Sequence, residues 1–261
     1  MSTLSLPLAM RSYEYWIFQY KRTWRGSVVS TVLFPVLFLA SMGLGLGSLV
    51  DSSASGGVDG LPYLVFLAPG LLAAAAMQTG VGESTYPVMG AIKWVKTYHA
   101  MLATPIGVLD VLVGHLLYIA TRILLGSAIF LAVMGVFGAL DSPLALLTVP
   151  AAVLTGMAFS APVVAFAATN DNDAGFAALF RFVVTPLFLF GGVFFPVQQL
   201  PPVLEQLAYA TPLWHGVALS RGLSLGTATA GGVLLHVVYL SAWIAVGSWL
   251  AARAFQRRLA V

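Results

Sequence analysis

A chain of 261 residues that is 59% hydrophobic and only 8% charged cannot clothe a water-soluble surface, for which about a quarter of the residues are normally charged. Most of its exterior must therefore face lipid. A net charge of +3, no run of basic residues and no cysteine exclude a nucleic-acid binder, a disulfide framework and a thiolate metal site.

The opening stretch "LPLAMRSYEYWIFQYKRTWRG" mixes aromatics with Arg11, Glu14, Lys21, Arg22 and Arg25. A secretory signal has a single short apolar run and a small-residue cleavage site instead. Residues 5–25 read as an amphipathic helix in the membrane interface, with Tyr13, Trp16, Tyr20 and Trp24 at headgroup level.

Crossing the hydrocarbon takes roughly 20 apolar residues. Stretches at 27–49, 61–82, 106–137, 143–168, 174–195 and 229–253 qualify. No alternating ten-residue pattern points to a barrel, so an all-α membrane protein with six spans is expected. Gly43 and Gly47 in the first span have the spacing that permits close helix approach, and Pro186 with Gly191-Gly192 allows a bend in the fifth.

Between spans two and three lies "AIKWVKTYHAMLATP" (91–105), a polar and aromatic island between apolar runs. Residues 88–102 are expected to form one short helix along the cytoplasmic surface, and Thr104-Pro105 the N-cap and first position of span three. Within that span His115, Tyr118 and Arg122 fall in a sector of about 60°. Polar groups at such depth are costly, so the stripe should face the bundle interior or a water-filled cavity. There Arg122 either meets a polar substrate or, the favoured reading, locks onto carbonyls or an acid of another helix. Asp110 is expected to be solvated or paired with a loop lysine, and His236 in the last span to be packed and hydrogen-bonded. Residues 196–226 are too polar to span and too apolar for a free loop. With Pro201-Pro202 and Pro212 opening short helices, they read as a re-entrant pair on the outer side.

Ten basic residues (Arg11, Lys21, Arg22, Arg25, Lys93, Lys96, Arg181, Arg253, Arg257 and Arg258) collect on one side of this layout, against Arg221 alone on the other. The positive-inside bias then places both termini in the cytoplasm. No G-x-x-x-x-G-K-[ST] or H-E-x-x-H is present, so neither nucleotide hydrolysis nor zinc proteolysis is expected of this chain. No bound metal or cofactor is expected either.

Two motifs carry a resemblance. "LATPIGVLDVLVGHLL" (102–117) resembles the segment after the cytoplasmic loop of type-2 ABC exporter permeases. "LFLFGGVFFPVQQLPPVLEQLAYATPLWHGVALSRGLSLG" (187–226) is similar to that family's C-terminal signature, matching at Gly191, Gly192, Phe195, Pro196, Leu200, Pro201, Pro212, Arg221 and Gly226. "FLAPGLLAAAAM" (66–77) fits its second span, and the likeness covers nearly the whole chain. It looks closest to the branch that includes nodulation-factor, polysaccharide and daunorubicin-type drug exporters. Many relatives carry charged residues after the glutamate that ends span two; here Glu83 is followed by "STYPVMGA".

The resemblance implies a permease in the cytoplasmic membrane, paired with a second permease copy. Below would lie two ATP-binding subunits that hold ATP and Mg. It implies that 88–102 is a coupling helix, with Glu83, Lys93, Trp94, Lys96, Tyr98, His99 and Met101 at the contact. Spans one, two and five would border the pathway, making Phe34, Phe38, Met42, Met77, Phe188, Phe190, Phe194 and Phe195 its candidate residues. So aromatic a surface suits hydrophobic, drug-like or lipid-like amphiphiles; a glycolipid or polysaccharide is the alternative cargo.

Overall fold

In hydrocarbon each backbone amide must find its partner within its own segment or barrel. The computed structural model of the chain describes residues 4–52 and 57–259, apart from the side chain of Ser30, and in these residues it answers that demand with helices alone. The chain is an all-α membrane protein.

Helix α1 (Leu6–Phe38) passes through a π-helical stretch (Leu39–Leu46) into α2 (Gly47–Asp51) without a break. At 1.5 Å per residue this is about 70 Å of continuous helix, more than twice the roughly 30 Å of a bilayer core. The separate interfacial helix expected over 5–25 is the first half of this same element. Gly26 is the only weak former at the expected joint, and one glycine costs a helix only about 1 kcal/mol. The glycines of the π stretch serve packing within the chain: Gly43 lies too close to Leu64 for a Cβ, and Gly47 faces Tyr63.

Helix α3 (Tyr63–Ser84) is the central, most buried span. It turns at Thr85 into α4 (Tyr86–Met89) and a π turn (Gly90–Trp94). Lys96, in the left-handed conformation at φ 56°, then reverses the chain into α5 (Thr97–Leu102). The single helix expected over 88–102 is thus two helical pieces meeting at a corner.

Helix α6 (Val108–Val136) follows, and Gly107, not Thr104, caps it. Thr104 donates to Met101 O in the preceding turn at 2.6 Å. Asp110 is not solvated: it is buried, and its carboxylate accepts the N–H of Gly107 at 2.9 Å and that of Ser5 at 2.7 Å. One side chain therefore caps α6 and anchors the start of α1 beside it. Asp110→Ala strands two amide donors, each worth about 1–3 kcal/mol when buried. It is expected to lower the thermal midpoint in detergent clearly, with Asp110→Asn falling between it and the parent.

The chain continues through a 3-10 turn (Pro143–Leu147) into α7 (Thr148–Thr169) and then α8 (Ala174–Leu179), a π turn (Phe180–Val184) and α9 (Thr185–Phe190). Helices α10 (Pro202–Tyr209) and α11 (Pro212–Leu225) are the two short proline-led helices anticipated over 196–226, and α12 (Ala230–Leu259) closes the fold. Among the described residues five helical stretches are long and apolar enough to cross a membrane. The expected fifth span, 174–195, falls short: Ala174–Phe190 is about 25 Å long. It ends where Gly191 and Gly192, the latter at φ 81°, turn the chain away from helix.

Small residues bring the spans together. Gly80 of α3 lies against Gly156 of α7, Gly114 of α6 against Ala9 and Ser12 of α1, and Gly247 of α12 against Pro162 of α7.

Candidate functional site

A guanidinium in the middle of a span must be paired or watered. Arg122 on α6 is paired. Its Nε donates to Glu83 Oε1 at 2.9 Å and its Nη2 to Ser27 Oγ at 3.1 Å, and its charged end lies 4.3 Å from the ring of Tyr20. Helices α1, α3 and α6 are thereby joined at one point. Glu83, assigned from sequence to the cytoplasmic contact, instead turns inward to this pair, with a side chain only 20% exposed.

The pair sits at a cavity of about 390 Å³ between the same three helices. Phe34, Leu72 and Phe130 give the cavity an apolar wall, and Gln78, Thr79, Glu83 and Arg122 a polar one. A group with both an oily and a hydrogen-bonding part would be matched on both sides.

Of the phenylalanines singled out, four come together. Phe38 lies 6.2 Å from Phe188 and 6.1 Å from Phe194, which are themselves 5.1 Å apart, and Phe34 stands 5.5 Å from Phe38. Phe190 is exposed and Phe195 half-buried, neither within that group, and Met42 is half-buried beside Gly43. Met77 is fully buried among core residues and is not among the residues that line the cavity.

The corner between α4 and α5 divides into two faces. Tyr98 is fully buried. Its hydroxyl is hydrogen-bonded to His115 Nδ1 at 3.0 Å, and its ring packs on Trp16 and Phe255. Burial pushes its phenol well above the usual range, so it stays neutral. Met101 is buried on the same side. Trp94 (61% exposed) and Val95 (73%) project outward with Lys96 and His99. Lys93 is held sideways, donating to Asp171 O and lying 3.6 Å from its carboxylate. Arg258 bonds the same carboxylate at 2.7 Å; chiefly through this bond the Asp171 carboxyl is held below its usual range. The island thus has an anchoring side and a presenting side, a division set by the reversal at Lys96.

His115 and Tyr118, expected to share one stripe with Arg122, face α1. Trp16 lies 4.5 Å from the His115 ring, edge-on, and stacks on Tyr118 at 5.8 Å.

On the opposite end Arg221 of α11 clasps the bundle. It donates to Phe66 O at 3.2 Å and Gly192 O at 2.8 Å, with its guanidinium 3.8 Å from the Phe66 ring. The sequence marked Arg221 as a lone outer cation and as one position of the C-terminal signature. Nothing in the residue order links it to a carbonyl 155 positions away. His236, expected to be hydrogen-bonded, meets His215 Nδ1 to Nδ1 at 2.9 Å.

The family described as ABC-2 type transporter matches residues 11–225. The chain is 31% identical over 252 residues to Nodulation protein J of Sinorhizobium fredii, spanning 95% of this chain and 91% of that one. It is likewise 31% identical over 254 residues to Nodulation protein J of Rhizobium leguminosarum bv. viciae, spanning 97% and 94%. To Inner membrane transport permease YadH of Escherichia coli it is 25% identical over 238 residues, spanning 87% and 90%.

Proposed function

The chain belongs to the ABC-2 type transporter family, and on that premise we propose that it exports hydrophobic or amphiphilic compounds as one of two permease copies. It is a multi-pass membrane permease subunit, and such subunits work with a separate ATP-binding subunit. Two ATP-binding subunits dock from the cytoplasm, where the distribution of basic residues puts both termini.

The observation that carries this reading is the two-faced corner. Trp94, Val95, Lys96 and His99 are exposed, and an exposed tryptophan of that kind is a common anchor in protein interfaces. Tyr98, behind them, is bonded to His115 of α6. A push on the outer face therefore travels through Tyr98 into α6, which also bears Arg122 and one wall of the cavity. Tilting α6 against α3 would open or close that cavity, a shear of packed helices.

The test is to co-express the chain with a cognate ATP-binding subunit. Trp94→Ala is expected to weaken association about thirtyfold, the effect of losing an interface anchor of about 2 kcal/mol. Tyr98→Phe keeps the packing and loses the bond, so association should persist while transport-coupled ATP hydrolysis drops. Association and turnover unchanged in both variants would refute the coupling assignment.

The cavity's mixed lining supports an amphiphilic cargo, because apolar Phe34 and Phe130 line it together with polar Gln78 and Thr79. Those polar side chains also favour the second reading, a glycolipid, whose hydroxyls they can bond. Uptake into inverted vesicles decides between them. Gln78→Leu should spare transport of a simple amphiphile and impair that of a glycolipid.

A further inference from the structure

At the end of the molecule that carries most of the basic residues, α7 and α12 are packed together along much of their lengths. Toward the end of α12 they part to leave a groove of about 590 Å³. Its walls are two facing helical stripes. Pro162, Ala165, Phe166 and Thr169 come from α7, and Leu250, Arg253, Ala254 and Arg257 from α12. Each set follows the i, i+3, i+4, i+7 spacing of one helix face, so the groove is a continuous channel about 10 Å long.

Its chemistry changes along that length. Phe166 and Leu250 are exposed, 38% and 42%, and with Pro162 and Ala165 they make an apolar floor. Arg253, Arg257 and Arg258 form the rim, and among the described residues no carboxylate lines the groove. Arg258 is bonded to Asp171. Arg253 lies over Trp249, 3.7 Å from its ring, a contact that holds the guanidinium without neutralising it. No ion pair holds Arg253 or Arg257 among the described residues. These two arginines, one helical turn apart, are about 5–6 Å from each other at Cβ, close enough to grip one phosphate between them.

We infer that this groove is a binding site for an anionic phospholipid. The headgroup phosphate lies between Arg253 and Arg257, and an acyl chain runs over Phe166 and Leu250. Basic pockets between spans attract such headgroups at about 1 kcal/mol per arginine or lysine, and a neighbouring apolar floor keeps the chain out of water. Neither the family assignment nor the proposed cargo is needed for this site, because it lies at the lipid-facing junction of α7 and α12 and not in the α1–α3–α6 cavity.

The full chain, purified from nanodiscs containing phosphatidylglycerol and phosphatidylcholine in equal amounts, is examined by native mass spectrometry for lipid retained after delipidation. The parent protein should retain phosphatidylglycerol in preference to phosphatidylcholine. In Arg253→Gln/Arg257→Gln that preference should fall about thirtyfold, the loss of two arginine contacts. Arg253→Lys/Arg257→Lys should keep most of it, and Arg11→Gln, which removes one charge elsewhere, all of it. Equal retention of both lipids by the parent protein overturns the proposal without any variant. Undiminished preference in the glutamine pair overturns it too, as does an equal loss in Arg11→Gln, which would mean diffuse surface charge alone. If the glutamine pair instead loses its ATP-binding subunit while its lipid preference is unchanged, the groove is a protein docking face and the lipid assignment is wrong.

Discussion

Replacing Glu83 by glutamine is expected to lower the thermal midpoint of the purified protein more than any single change of charge outside its own ion pair. The carboxylate accepts from Arg122 at 2.9 Å, with only 15% and 20% of the two side chains exposed. The substitution leaves a guanidinium at mid-span without a neutralising charge, its partners then a neutral amide, Ser27 and the face of Tyr20. Breaking a buried pair from one side costs about 3–5 kcal/mol. The cavity beside this pair admits some water, so about 2–3 kcal/mol is the appropriate expectation here. Arg122→Met should be comparably harmful, since it strands the carboxylate. The double variant Glu83→Gln/Arg122→Met should be more stable than either single, because both charges vanish together. A double-mutant cycle of thermal midpoints checks this. Additive effects would mean that the two side chains act independently, and the pair would then not be the lock between α3 and α6.

Gly156→Val carries the second large effect, and it acts through volume, not charge. A Cβ at position 156 would stand 2.6 Å from Ile123 Cδ1 and 2.7 Å from Ala76 O. The reciprocal residue is equally confined: a Cβ at Gly80 would stand 2.5 Å from both Gly156 O and Ser160 Oγ. Backbone carbonyls cannot swing aside as a side-chain end can, so α3 and α7 would have to separate. Overpacking of a tight interior costs about 1–3 kcal/mol, and a β-branched side chain against the Ala76 carbonyl and the Ile123 side chain should reach or exceed the top of that range. Gly156→Ala is expected to be milder but still destabilising. Gly82, on the same helix as Gly80, has nothing within 4 Å of its would-be Cβ. Gly82→Ala should therefore be neutral or stabilising by up to about 1 kcal/mol through helix propensity. Monodisperse yield after detergent extraction, compared across the three variants, gives the ranking directly. A well-behaved Gly156→Val protein would show that the two helices are not held at this crossing.

Spans were legible in the sequence wherever they announce themselves as long apolar runs, and prolines announced the paired short helices at Pro202 and Pro212. The places where reading failed share a cause. Helix continuity through Gly26 was missed because composition changes there from amphipathic to apolar, and a change of surroundings resembles a change of element. The helix cap was placed on Thr104-Pro105 because a threonine before a proline has the right local chemistry. Asp110 overrides it by serving two backbone amides at once, one of them far away in the chain. Tyr98 and Trp94 look alike in sequence, yet the left-handed residue at Lys96 sends one into the bundle and the other into solvent.

What the order of residues determined by itself is therefore everything that local periodicity and composition can encode: a lipid-embedded, helical chain, its uneven distribution of positive charge, the proline-led breaks and the family motifs. Only the tertiary structure decided which polar groups share a partner. Glu83 and Arg122 are 39 positions apart and Arg221 reaches back 155 to Phe66, and no periodicity spans such distances. In a medium without water a buried charge must take the partner that packing delivers, and packing is settled by the glycine contacts that set how closely, and in what register, the helices cross.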